Sequence, residues 1–468
     1  MPASAATLSN LLQQMYQNKE VLQGWDAVMN MLESSVNGFF QLQWNRQTGN
    51  AGKLSISVVW CESVLPIPHG QGYFTNVTEF DVDLGAPLFQ FTSGRSEVTV
   101  RQNILRGSTC LGTMEVPANF NPATCNLAPH DPRVTWGKVQ SVDVSQQPYL
   151  SGTVSLQQVQ GLVGSAHSLV LNFAQGAFTL NALTIVGVNN TTLVNQLKSW
   201  FATQNIRYLL ASVDFQNLSG IPGLTPTAFR FNVLTTNAGN TIVQLLITTN
   251  GSAPSSTVIN VNEPIPTADG LNCTLMLNSR LLYQDVLVRG FNGHGGSFSL
   301  IPLGPNGGYN AWYATINPRM HFEGSFSYGN CCDRTTVTYS VYLGGNYTGT
   351  ATEGFALSQE IHTQGNAPVD ITVSARYPVR LSGSGPNQSI TITPGTPSVT
   401  VSGGAEDEMK SRLEDILNNN IRNAMAGVSF TPVTYFALKN LLFPGNLISM
   451  SQIQVPADML IAGNFSLT

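Results

Sequence analysis

Along most of the chain apolar residues alternate with Ser, Thr, Asn or acidic residues, the period of a strand with one face in a core and the other in water. Leu54, Ile56 and Val58 alternate in this way, as do Phe80, Val82 and Leu84, and Val337, Tyr339 and Val341. The same period recurs at Leu169, Leu171 and Phe173 and at Phe178, Leu180 and Ala182. Turn signals such as PNGG at Pro305 to Gly308 and SGSGP at Ser382 to Pro386 separate these runs. The bulk of the chain is expected to be antiparallel β.

Three segments carry the helical period instead. Val28, Leu32, Val36, Phe39 and Phe40 form a stripe at i, i+4, i+8 and i+11, behind an Asp26 placed to cap it. Glu406 to Met425 presents Met409, Leu413, Ile416, Leu417, Ile421 and Ala424 on one side, with acids in the first turn to suit the helix dipole and Gly427 at the end. Thr191 to Thr203 carries Leu193, Val194, Leu197, Trp200 and Phe201. Amphipathic helices near both ends with many strands between predict an α+β, β-dominated fold of highly curved antiparallel sheets wrapped around long helices, not βαβ units. At 468 residues the length allows two to four domain-sized units or one elongated two-module body, and LSGIPGLTP from Leu218 to Pro226 is the candidate boundary, dividing 1–217 from 218–468.

Charge changes this picture most. Only 10% of residues are Asp, Glu, Lys or Arg, against roughly 25% in an ordinary soluble domain. No charged residue occurs between Asp143 and Lys198, between Arg230 and Glu263, or between Arg289 and Arg319. With a net charge of -5 there is no basic footprint for nucleic acid or an anionic membrane. The N-terminus has no basic region leading into an apolar core, and no stretch approaches a membrane-spanning length, so a soluble protein without a signal peptide is expected, cytoplasmic or released by another route.

The search for chemistry returns little. There is no G-x-S-x-G and no phosphate-binding loop, and GHGGS at Gly293 to Ser297 reads as a turn. The six histidines are scattered, so no cofactor or metal is expected. Glu79, Asp81 and Asp83 form an acidic stripe on one strand face; three carboxylates on a straight strand are too few for Ca²⁺, and a solvated face is the expectation. Among the six cysteines, Cys110 and Cys125 flank a Pro-rich loop and could pair on oxidation, but buried free thiols are the expectation. The adjacent Cys331 and Cys332 would point to opposite faces of a strand. The chain is read as a non-enzyme.

Several phrases carry a resemblance. Gly24-Trp25-Asp26 with Val28 and Asn37 beyond it, FDVDLGAP at Phe80 to Pro87, LKSWFATQNIRYLLASV at Leu197 to Val213, PIPTADGLNCTLMLNSRLLYQDVL at Pro264 to Leu287 and FALKNLLFPGNLISMSQIQVPADMLIAGNF at Phe436 to Phe465 resemble, in order, the clostridial P-47 and OrfX proteins encoded beside botulinum neurotoxin. Those belong to the tubular lipid-binding (TULIP) superfamily. The resemblance implies a curved antiparallel sheet around a long helix, built twice, with lipid held in an apolar tube or groove, no catalytic residues, and a sister TULIP-like or toxin protein as a partner. It brings no residue-level lipid signature.

Candidate ligand-binding residues therefore come from the helix faces alone: Val28, Leu32, Val36, Phe39, Phe40, Leu413, Ile416 and Leu417. Three readings follow. A carrier would hold a lipid or fatty-acyl chain between helix and sheet. An accessory would have a filled core and bind a protein through its uncharged strand faces. A carbohydrate binder would need Trp44, Trp60 or Trp312 exposed as platforms.

Overall fold

The computed structural model describes the chain apart from residues 1–5, 19–20, 50, 69, 96, 158–159, 163–167, 174–175, 184–187, 205, 213–226, 250–257, 293–296, 303–311, 318–319, 344–345, 351–353, 363–367, 385–387, 431, 435–447, 457 and 466–468. The expected joint near Leu218 to Pro226, the glycines of GHGGS and the turn PNGG lie outside the described residues.

The alternating runs are strands, and every strand pairing among the described residues is antiparallel. The first sheet is built on β2 (Leu54–Pro66), β3 (Tyr73–Phe91), β4 (Glu97–Val116), β5 (Thr135–Ser141) and β6 (Tyr149–Gln157), and continues through Ser168–Asn172 to Arg207–Ser212. In β3 the core-facing residues are Phe80, Val82 and Leu84, then Phe89 and Phe91. The parity changes because the register with β4 shifts between Asp83 and Pro87. A bulge of this kind bends a long strand and re-aims its side chains, so a 19-residue strand keeps one apolar face on a curved surface.

The second sheet has seven strands in the order Ile448–Gln454, Met459–Phe465, Cys273–Leu277, β1 (Ala27–Leu32), Thr241–Thr248, Ala228–Thr235 and Gln160–Leu162. It thus takes strands from both sides of position 218. The third sheet has Val369–Ser382 at its centre, with Gly354–His362 and Ser398–Gly403 beside it. Met320–Tyr328 and Thr335–Leu343 form a separate hairpin.

The helix expected across Val28 to Phe40 is corrected. Ala27–Leu32 is β1, and only Glu33–Gln47 is helical (α2, following α1 at Leu8–Asn18). The sequence AVMNML is apolar almost throughout because both faces of this central strand are covered, and such a run cannot be told from a helix by period. Ala27, Met29 and Met31 face the large core, whereas Val28 faces a second core with Leu11 and Met15 of α1 and with Trp25. Asp26 caps no helix; its Oδ2 accepts hydrogen bonds from the Thr249 backbone N–H at 2.8 Å and from the hydroxyls of Thr248 and Thr249, both at 3.1 Å.

The other two expected helices form, at Asn190–Gln204 (α3) and Asp407–Met425. The last ends just before Gly427, whose φ of +91° is the left-handed conformation that only glycine adopts without strain. The fold is the β-dominated α+β arrangement that the patterning predicted, and none of its described helices is long and apolar enough to cross a membrane.

Candidate functional site

The inward faces of α2 and of Asp407–Met425 belong to one large apolar cluster that runs from Ala27 to Phe465. Val36, Phe39 and Phe40 lie in it on α2, and Leu413 and Leu417 on the C-terminal helix, each at most 5% exposed. Val28 lies in the other core, beneath α1, and is not brought together with them. Leu32, at the junction of β1 and α2, and Ile416 are half-buried.

An aromatic run that the helix faces alone did not reveal continues the α2 surface. Phe40 packs on Phe89 of β3, with ring centroids 4.3 Å apart, and Phe89 meets Phe173 edge-on at 6.2 Å. Phe173 in turn packs on Phe178 at 5.7 Å and on Phe201 of α3 at 5.6 Å. Phe89 and Phe91 alternate at strand period, and that was the available signal. Such rings combine large buried area with geometric preference, each pair contributing about 0.5–1.5 kcal/mol beyond its burial.

Polar side chains fix both helices against strand edges. Beyond Leu84, β2 no longer pairs with β3. There Glu33 accepts from the Phe91 N–H at 2.7 Å, while Asn37 accepts from the Phe89 N–H and donates to its carbonyl, both at 2.8 Å. On Ser398–Gly403, Glu414 accepts from the Val401 N–H at 3.0 Å, and Asn418 accepts from the Val399 N–H at 2.9 Å and donates to its carbonyl at 3.3 Å. These bonds satisfy backbone groups that would otherwise be lost at the edges.

The outer face of the first sheet has its own small core. Residues 117–134, between β4 and β5, fold over it and bring Phe120, Cys125, Leu127 and Val134 against Val59, Cys61 and Val77. Cys125 is bonded to Cys61, not Cys110, across Cα atoms 5.8 Å apart; Cys110 is a buried free thiol. The expectation of buried free thiols thus holds for Cys110 and fails for Cys125, because a side chain on β2 comes within reach of Cys125 only when the segment doubles back. Two open clefts border this cover. One, of about 760 Å³, is lined by Ile67, Phe74, Met114, Phe120 and Arg133, and the other, of about 490 Å³, by Glu62, Asn76, Thr113 and Trp136. None of the eight residues taken from helix faces lines either cleft.

The acidic stripe is not a solvated face: the cover reaches Glu79 through the His130 backbone N–H, and Asp83 is held by side chains of the neighbouring strands. Glu79 and Asp83 are 1% and 4% exposed. Asp83 accepts from Lys53 at 2.8 Å and Ser55 at 2.6 Å, with Arg106 at 3.4 Å. Burial raises its pKa, but these hydrogen bonds and the charges of Lys53 and Arg106 outweigh it, leaving the carboxyl below its ordinary 3.8. Cys331 and Cys332 occupy an exposed turn, not a strand, with Sγ atoms 3.8 Å apart. Trp44 and Trp60 are 1% and 3% exposed, so neither is a sugar platform; the Trp312 side chain lies outside the described residues.

No family model and no curated protein sequence matches the chain. Solved structures match the fold. Two P-47 proteins of Clostridium botulinum match it: one at 12% identity over 96% of this chain and 99% of its own, with a TM-score of 0.51, the other at 11% over 95% and 100%, with a TM-score of 0.52. A lipopolysaccharide binding protein aligns at 9% identity over 94% and 99% with a TM-score of 0.32, too loose a match to carry anything further. The chain has the P-47 fold, as its sequence resemblance implied.

Proposed function

We propose that the chain is a non-enzymatic binder of a lipid or another hydrophobic ligand, held between the apolar faces of α2 and Asp407–Met425 and the curved sheets around them. The observation that carries this reading is the single apolar cluster shared by the two inward helix faces. It offers an acyl chain a continuous surface at about 0.8 kcal/mol for each CH₂ buried. Val36, Phe39, Phe40, Leu413 and Leu417 are packed, so entry requires helix and sheet to part, and the half-buried Leu32 and Ile416 are the accessible members of the set. Native mass spectrometry of freshly purified protein, followed by lipid extraction, tests this. A stoichiometric adduct of one lipid class is expected.

The tight packing of those five residues favours a second reading, a structural accessory that binds a sister TULIP-like or toxin protein with no cargo. An apo mass that stays unchanged after incubation with mixed lipids supports that reading and removes the first.

A further inference from the structure

Beneath the 117–134 cover, three potential metal ligands converge that neither reading of the fold uses. Glu79 and Asp81 lie two residues apart on the outer face of β3, and His130 comes down from the cover. One ligand atom from each lies within 4.8 Å of the other two. We infer that Glu79, Asp81 and His130 form a binding site for a divalent transition-metal ion of the zinc class.

The polar inventory of the site calls for a cation. Glu79 is 1% exposed, and its Oε1 is buried with no hydrogen-bond partner. Its Oε2 accepts from the His130 backbone N–H at 2.9 Å, and the His130 Nδ1 stands 3.4 Å from the same oxygen. Among the described residues, all donation to this carboxylate therefore falls on one of its two oxygens. Burying an ionised carboxylate oxygen without a donor is costly, and native structures seldom leave one so. Lys53 and Arg106 pair with Asp83, and Arg133 of the cover pairs with Asp131. Asp81 has no ion-pair partner among the described residues. Ser57, opposite Asp81 on β2, has a buried hydroxyl that is also unpartnered.

Two carboxylates and an imidazole suit zinc better than calcium, which seeks six to eight oxygens. Around a tetrahedral zinc with bonds of about 2.1 Å, ligand atoms stand about 3.4 Å apart. The His130 side chain is 70% exposed and free to turn inward by the difference. A bound ion would tie the cover to β3 close to where Cys61–Cys125 ties it to β2. It would also hold His130 against Trp136, 6.5 Å away between ring centroids, at the rim of the smaller cleft.

The test is calorimetric titration of the EDTA-stripped 468-residue chain with zinc chloride, with C331S/C332S as the background so that the exposed thiol pair contributes nothing. One equivalent of zinc is expected to bind in the presence of millimolar Ca²⁺. H130A and D81N should weaken it on the order of tenfold or more, while H321A, which removes an exposed histidine 3.6 Å from Glu323, should leave it unchanged. Zinc should also slow proteolysis within 117–134 in the background protein but not in H130A. H130A changes an exposed ring and is checked for native circular dichroism. No saturable zinc binding, or H130A binding as tightly as the background protein, overturns the assignment.

Discussion

Asn37 and Phe89 exchange two hydrogen bonds of 2.8 Å, side-chain amide against backbone amide, and Asn418 does the same to Val399 at 2.9 and 3.3 Å. In each case a glutamate one helical turn earlier, Glu33 or Glu414, accepts from the N–H two residues further along the strand, Phe91 or Val401. An E-x-x-x-N helix face thus meets a strand edge in the same way near each end of the chain. Its i, i+4 spacing matches the i, i+2 spacing of the strand, since both advance by about 6 Å.

N37A and N418A are each expected to lower stability by about 1–3 kcal/mol, because truncation leaves half-buried backbone groups without partners. The two sites share no hydrogen-bond network, so the double variant should show the sum to within about 0.5 kcal/mol. Urea denaturation of the four proteins decides this. A cost near zero for N37A would mean that packing alone holds α2.

Much of this was legible in the sequence, for identifiable reasons. Asp407–Met425 and α3 could be read because each shows one apolar stripe against polar neighbours, and the strands at Leu54, Phe80 and Val337 because each alternates apolar with polar residues, even where, as at Glu79 and Asp83, the polar face is buried. β1 was misread because it has no wet face. α1 carries the same kind of signal, a helical stripe of Leu8, Leu11, Leu12 and Met15. The burial of Glu79 and the Cys61–Cys125 bond had no local signal: both depend on where the 117–134 segment lands, a matter of contacts more than 50 residues apart in sequence. The helix-face candidates separated for the same reason, since Val28 left with β1 for the other core.

A row of polar side chains crosses four strands of the second sheet. Asn232 donates to Gln244, Gln244 to Asn30, Asn30 to Thr274, and Thr274 to the Pro264 carbonyl, over 2.7, 2.7, 3.1 and 2.8 Å. Asn30, Gln244 and Thr274 are at most 1% exposed, and these residues are direct cross-strand partners. A slip of one residue would break the whole row, so it marks register as well as binding strands. N30A should cost about 1–3 kcal/mol for each partner left unpaired. N30L/Q244L should cost less than the sum of its single variants, because the second change removes a group that the first had orphaned. Additive losses would show that the row does not act as a unit.

The cysteines divide into three environments, and thiol titration separates them. Cys331 and Cys332 are exposed and should react at once with a disulfide reagent in the native protein. Cys110 and Cys273 should react only after unfolding, since burial raises both thiols and pushes Cys273 up to about 12. Without reductant the unfolded chain should give four thiols; six would remove the Cys61–Cys125 bond. C61S/C125S should lose about 2–4 kcal/mol by freeing the unfolded chain, and should expose 117–134 to protease before the rest.

Asp83 sets an acid limit on stability. Burial alone would raise its pKa, but Lys53, Ser55 and Arg106 together bring it below 3.8. Asp131, hydrogen-bonded to Arg133, is lowered too. A carboxyl whose folded pKa lies below its unfolded value binds fewer protons in the folded state. Its contribution is therefore complete above the unfolded value, about pH 4, and is lost as pH falls through the folded one. The denaturation midpoint should be flat from about pH 7 to 5 with respect to these groups and fall steeply below pH 4. D83N should be less stable than the parent at pH 7 and should converge with it at the acid end, because protonation removes from the parent the same charge that the substitution removes. A gap between the two proteins that stays constant from pH 7 to the acid end would show that Asp83 stabilises the sheet by shape and not by charge.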